Sequence, residues 1–126
     1  MGQYGETAVR AVQLYASGIA SSIVDAWKIT GRNTLHAESS QDKSCPRTTF
    51  LGICESGIVA GVPAGKYNAR PSVNKQYGLD AIALLRRQPT LVNDKTLLWK
   101  NIGNATKKPN EQMDVVATLW VNGLIK

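Results

Sequence analysis

Apolar residues recur along this chain at helical spacing, and Gly, Pro and small polar residues punctuate them. Ala8, Val9, Ala11, Val12, Tyr15 and Ala16 form one broad stripe at intervals of three and four, with Gly18 following as a C′ residue. Ala81, Ile82, Leu84 and Leu85 repeat that stripe, and Pro89 stops it because it cannot continue a helix. A second element opens at Ser22-Ile23-Val24-Asp25, where the Ser hydroxyl can accept a backbone N–H and Asp25 sits in the positive first turn. Asp94 holds the equivalent N-cap place, and helices of about ten residues are expected to follow, ending near Gly31 and Gly103. Trp27 and Trp99 then fall on equivalent inner faces. A third element is framed by the N-cap candidates Ser44 and Asn110 and the C′ candidates Gly57 and Gly123, which predicts helices of about twelve residues. Pro46 lies in the first turn, where its missing donor costs little. Phe50, Ile53 and Cys54 share one face, as do Met113, Val116, Leu119 and Trp120. The run Val115 to Ile125 is apolar nearly all round, so this last helix is expected to be buried in its own domain or against a copy of itself.

The elements come in two matching sets. Tyr4-Gly5-x-x-Ala8-Val9-x-x-Val12 recurs as Tyr77-Gly78-x-x-Ala81-Ile82-x-x-Leu85, 73 residues later. Trp27-Lys28-x-x-Gly31 recurs as Trp99-Lys100-x-x-Gly103 at an offset of 72, and Phe50-x-x-Ile53-x-x-x-Gly57-Ile58-Val59 as Val116-x-x-Leu119-x-x-x-Gly123-Leu124-Ile125 at an offset of 66. Order is kept, and the drift in offset is what insertions and deletions in loops produce. Any two helical hairpins share apolar spacing and terminal glycines, but three matches in register point to a duplication. The segment from Gly61 to Pro71 is too rich in Gly and Pro for a helix, and Arg32 to Lys43 reads as the other long loop. Strand-like alternation is confined to Gly61–Tyr67.

The expected architecture is therefore all-α: a six-helix single domain of two similar three-helix units about a pseudo-twofold axis. Unit one spans 4–60, the connector 61–71 and unit two 72–126. A three-helix unit of this size buries only a small core alone, so the two depend on each other.

Composition narrows the function classes. With 126 residues, 43% apolar, 19% charged and 6% aromatic, the chain suits one folded domain. No apolar run approaches the roughly 20 residues that span a bilayer, and the opening Met1-Gly2-Gln3-Tyr4-Gly5-Glu6 lacks a secretory pattern. Two cysteines agree with a reducing compartment, and the expected location is cytoplasmic, with no membrane partner. Cys45 and Cys54, nine positions apart on one helix, would face opposite ways and cannot bond to each other there.

The formal charge of +6 is uneven. Residues 1–42 carry three basic and four acidic side chains, and residues 43–126 carry twelve and five. Such an excess favours polyanions through phosphate neutralisation, or serves only as a solvated surface. The basic residues with the best geometry are Lys43 and Arg47 at the third helix and Lys107 and Lys108 before the sixth, because helix N-termini present free N–H groups to an anion. The connector adds Lys66, Arg70 and Lys75, and Tyr67 could stack on a base or sugar.

Catalytic chemistry has little support. The one histidine, His36, lies in a polar loop without a partner at meaningful spacing, and the acidic residues show no glycosidase-like pairing. No CxxC, HxxxH or carboxylate cluster suggests a transition metal, Gly61 to Gly65 lacks the P-loop spacing, and no cofactor is expected. Cys45 is the one chemically special setting, at a helix start beside Lys43 and Arg47, where a thiolate would be favoured. The favoured reading is a non-catalytic binding or adaptor protein with an anionic partner, nucleic acid among the candidates. The alternatives are a homo-oligomeric interaction module using the apolar last helix, and a redox-responsive thiol protein using Cys45.

At Cys45-Pro46-Arg47-x-x-Phe50-Leu51-Gly52-x-Cys54-Glu55-x-Gly57, then Val62-Pro63-x-Gly65-x-Tyr67, then Met113-Asp114-Val115-Val116-x-x-Leu119-Trp120-x-x-Gly123-Leu124-Ile125, the chain resembles a family of small bacterial proteins of unknown function. Such proteins also occur among mobile gene cassettes. The resemblance implies an accessory role and carries no activity, cofactor or catalytic residue.

Overall fold

A computed structural model describes residues 2–35, 37–41, 43–103 and 107–126. The chain runs through α1 (Gln3–Ala16), α2 (Ile23–Thr34), a single turn α3 (Glu38–Gln41), α4 (Ser44–Glu55), α5 (Val73–Arg87), a 3₁₀ segment (Pro89–Asn93), α6 (Lys95–Asn101) and α7 (Gln112–Val121). Six of these helices have seven residues or more, and no strand is present among the described residues. None of the described helices is long and apolar enough to cross a membrane.

Local chemistry places most of the boundaries. Ser22 Oγ accepts from Asp25 N at 3.1 Å and Asp94 Oδ1 from Leu97 N at 3.0 Å, so both N-caps work as expected. Gly18, Gly57, Gly103 and Gly123 follow their helices with φ of 78°, 74°, 90° and 71°, the left-handed turn that favours glycine. Gly31 is a correction: α2 continues through it to Thr34. The extra turn is held by the hydroxyls of Thr30 and Thr34, which donate to Ala26 O at 2.8 Å and Thr30 O at 2.9 Å, while Thr34 also meets the Thr7 hydroxyl of α1. The expected loop from Arg32 to Lys43 is accordingly helical as far as Thr34 and again over Glu38–Gln41. Ser44 and Asn110 are not the caps of their helices. The N-caps are Lys43 and Glu111, and neither uses its side chain. Ahead of α7, the Gln112 side chain accepts from Asn110 N at 2.6 Å and closes the turn one residue later.

The first helix of each half leans on the third helix of the other. α1 packs on α2 and α7, α5 packs on α4, and α4 meets α7 between them. Glycine permits both crossings. A Cβ at Gly5 would stand 2.6 Å from the Asp114 carbonyl oxygen, and one at Gly78 would stand 2.7 Å from Ile53 Cγ2. Trp27 stacks on Phe50 with centroids 5.2 Å apart, and Tyr77 meets Trp99 edge-on at 5.2 Å. Each fully buried large side chain of this core, such as Phe50, Ile53, Leu85 or Leu119, contributes about 1.5–3 kcal/mol. α7 is buried all round from Gln112 to Leu119, which accounts for the first half of the apolar run from Val115 onward.

After α4 and α7 the chain enters one short antiparallel contact, with Val59 opposite Ile125. Ala60 N donates to Leu124 O and Lys126 N donates to Ile58 O, both at 2.8 Å. The Gly61–Tyr67 stretch that looked strand-like forms no strand, and the bridge at Val59 lies just ahead of it. Other parts of the halves differ: α2 has 12 residues and α6 only 7, with the 3₁₀ segment packed on α5 beside it.

Candidate anion-binding groove

The face of α2 that carries Trp27, Lys28, Gly31 and Arg32 is set by spacings of one, three and four residues, which put these side chains side by side on a helix. Opposite lies the first half of α4, with Ser44, Arg47 and Thr48. The connector from Tyr67 to Ser72 closes the third side. The groove between them has a volume of about 880 Å³, toward the upper end of the roughly 300–1,000 Å³ of typical ligand sites.

Among the described residues its charge is of one sign. Lys28, Arg32, Arg47 and Arg70 line it, and no described Asp or Glu does. The ion pairs among the described residues are Arg10–Glu6, Lys75–Glu55 and Lys95–Asp114, so none of the four groove cations is neutralised by one of them. Concave, low-dielectric walls lined by one sign of charge focus the potential and concentrate counter-ions.

The groove has a fixed polar side. Asn68 Nδ2 donates to Thr48 O at 3.0 Å and Asn74 Nδ2 to Thr48 Oγ1 at 2.9 Å. Gln112 Nε2 reaches Asn74 Oδ1 at 3.2 Å and ties this wall to the start of α7. The connector is clamped by Glu55. Its Oε2 accepts from Tyr67 N at 2.7 Å and Asn68 N at 2.9 Å, and its Oε1 lies 3.2 Å from Lys75 Nζ.

Burial works to raise the Glu55 carboxyl, but the N–H bonds from Asn68 and Tyr67 and the Lys75 ammonium outweigh it and hold the group below its ordinary 4.5. A carboxyl depressed in the folded state stabilises above its unfolded value, and that contribution disappears as pH falls through the folded value. Urea unfolding of the wild type should therefore lose stability between about pH 5 and about pH 3 more steeply than Glu55→Gln does. Parallel pH profiles for the two proteins would show that Glu55 is no clamp.

Trp27 lines the groove and is 2% exposed, yet its Nε1 has no hydrogen-bond partner among the described residues. Trp99, which the sequence match at an offset of 72 pairs with it, donates to Lys107 O at 2.8 Å.

Of the residues singled out in the sequence, Arg47, Tyr67 and Arg70 come together here. Tyr67 is half-buried, and its hydroxyl donates to Pro63 O. Lys66 is exposed and lies outside the lining, as does Lys108. Lys43 and Lys107, expected to serve as a pair of anion-attracting ends, each lie over a tyrosine of the first helix of their own half. Lys43 Nζ is 5.2 Å from the Tyr4 ring centroid and Lys107 Nζ 5.2 Å from that of Tyr77, whose hydroxyl lies 2.6 Å from Lys107 Nζ. Lys28 and Arg32 were missed. Their signal was present as two basic residues four apart beside Trp27 and Gly31 on one helix face.

The remaining candidates fall elsewhere. Cys45, the second residue of α4, is half-buried and does not line the groove, and its carbonyl accepts from Thr49 Oγ1 at 2.7 Å. Cys54 is buried, and burial, then the Glu55 charge, pushes its thiol far up. Both cysteines are free. His36 lies outside the described residues. α7 spends its apolar faces inside the domain, with Val121 its large exposed hydrophobic residue.

Fold and groove define a protein that is helical in its described residues and carries a basic cleft. The chain belongs to the family described as "Family of unknown function (DUF6979)", whose model matches residues 1–126. Neither the curated proteins nor the solved structures gave a match.

Proposed function

We propose that this chain is a non-catalytic binding protein that holds an anionic partner in the groove between α2, α4 and the connector, nucleic-acid strands being the macromolecular form of that partner. The observation that carries the reading is the set of four cations in one concave site, with no acidic residue among its described lining. Three of them are arginines, whose planar forks suit phosphate oxygens better than an ammonium does. The burial of α7 favours this reading over a homo-oligomer built on that helix.

The test is an anisotropy titration with short single-stranded DNA and RNA at two salt concentrations. Affinity should fall steeply with salt, because each phosphate contact releases counter-ions. The double variant Arg32→Glu/Arg70→Glu should weaken binding by about a hundredfold or more at low salt, whereas Lys108→Glu should leave most of the affinity. No binding by the wild type at low salt, or equal binding by the double variant, would overturn the proposal.

The same reading includes two related halves about a pseudo-twofold axis. Supporting it, residues 58, 59 and 60 meet 124, 125 and 126, each matched to one of them at the offset of 66, and the two bridge hydrogen bonds exchange under that match. The crossings of α1 on α7 and α5 on α4 are related in the same way.

A further inference from the structure

Of the four cations that line the groove, Lys28 and Arg32 stand on α2 and Arg47 on α4, whereas Arg70 sits in the connector. A long side chain on irregular backbone samples many positions, so its attraction for an anion is diluted unless the chain beneath it is fixed.

The connector is fixed on both sides of Arg70. Ahead of it, the backbone N–H groups of Tyr67 and Asn68 donate to Glu55 Oε2 at 2.7 and 2.9 Å, and Asn68 Nδ2 donates to Thr48 O at 3.0 Å. Asn68 is 7% exposed and the Glu55 side chain 11%, so these bonds lie largely out of water, where a carboxylate acceptor holds its donors most firmly. Behind it, the chain enters α5 at Ser72, whose Oγ accepts from Asn74 N at 3.1 Å, and Asn74 Nδ2 donates to Thr48 Oγ1 at 2.9 Å. Thr48 of α4 therefore receives a side-chain bond from each flank. The exposed residues Ala69, Arg70 and Pro71 span the interval. Pro71 fixes its own φ and restricts Arg70, the residue before it, to extended backbone.

We propose that Glu55 and Asn68 are positioning residues for anion binding, holding the connector so that Arg70 stands at the groove. This rests on the anion-binding reading above and adds the device that keeps the third side of the site in place. Its consequence runs against simple electrostatics. Removing the Glu55 carboxylate raises the net charge and releases the Lys75 ammonium, and each change by itself favours an anion. A latch predicts the opposite sign: binding weakens when the carboxylate goes.

The experiment titrates a labelled single-stranded oligonucleotide with the full chain at low salt, after circular dichroism has established which variants fold. Arg70→Gln should weaken binding about tenfold and lower the slope of log affinity against log salt by about 0.7. Glu55→Ala should weaken it about fivefold and Asn68→Ala about threefold, although neither side chain is a cation. Asp80→Ala removes an exposed carboxylate of α5 and should bind at least as tightly as the wild type. In the Arg70→Gln background the two latch substitutions should each cost less than about twofold, because the cation they place is gone. Wild-type or tighter binding by Glu55→Ala overturns the inference, as does a loss that persists undiminished without Arg70. Where Glu55→Ala does not fold, Asn68→Ala is judged by the same two criteria. If the inference is overturned while Arg32→Glu/Arg70→Glu still abolishes binding, the anion-binding groove survives. If the wild type does not bind at low salt, both readings fall.

Discussion

Asp114→Ala is expected to destabilise the domain by about 3 kcal/mol, a large share of the roughly 5–15 kcal/mol that holds an ordinary domain together. Asp114 is 2% exposed at the first turn of α7. Its Oδ1 accepts from Gly2 N and its Oδ2 from Gly5 N, both at 2.8 Å, and Lys95 Nζ lies 3.3 Å from Oδ1. Gly2, the N-cap of α1, has no side chain to offer, so a carboxylate more than a hundred residues away does the capping. Alanine leaves two N–H groups at the α1 terminus without that acceptor, one of them buried. Lys95, 42% exposed, can turn to water, so Lys95→Met should cost less than about 1 kcal/mol. Urea unfolding of the two variants measures both values. A loss below about 1 kcal/mol for Asp114→Ala would mean that α1 is not held by this carboxylate.

That capping contact was invisible in the sequence, and the reason is general to this chain. Features settled within a few residues were legible: Ser22 and Asp94 as caps, Gly57 and Gly123 as helix ends, and the burial of Trp27 and Trp99. Gly31 misled because its neighbours Thr30 and Thr34 extend α2 through hydroxyl bonds, one of them to a partner on α1, and glycine in a helix interior is discouraged only by about 1 kcal/mol. Half of the groove was legible, since Arg47, Tyr67 and Arg70 stood out by local setting. Lys28 and Arg32 gain their meaning only when α2 is laid beside α4, a juxtaposition that long-range packing decides. The same holds in reverse for Lys43 and Lys107, which looked like free helix-end charges. Their ring partners, Tyr4 and Tyr77, are distant in sequence and close in space.

Two glycines inside helices should respond to alanine with opposite signs. Alanine in a helix interior is favoured over glycine by roughly 0.5–1 kcal/mol, so a variant that costs nothing in space should gain about that much. Gly31 meets this condition: among the described residues an added Cβ would find only Leu35 Cδ1, at 3.7 Å, which is ordinary contact. Gly31→Ala should therefore raise stability by about 0.5–1 kcal/mol. At Gly5 the same atom would stand 2.6 Å from the Asp114 carbonyl oxygen and 2.5 Å from Thr118 Cβ. A backbone oxygen cannot turn aside as a side-chain tip can, so α1 must move off α7 and stretch the bonds that Asp114 makes to Gly2 and Gly5. Overpacking of this kind outweighs the helical gain, and Gly5→Ala should lose about 2–3 kcal/mol net. Gly78→Ala belongs between them, because its nearest obstacle, at 2.7 Å, is the Ile53 Cγ2 methyl, which can yield partly. Urea midpoints for the three variants give the order directly. A neutral Gly5→Ala would mean that α1 and α7 tolerate a wider separation, and the cross-domain cap at Asp114 would then be weaker than its geometry implies.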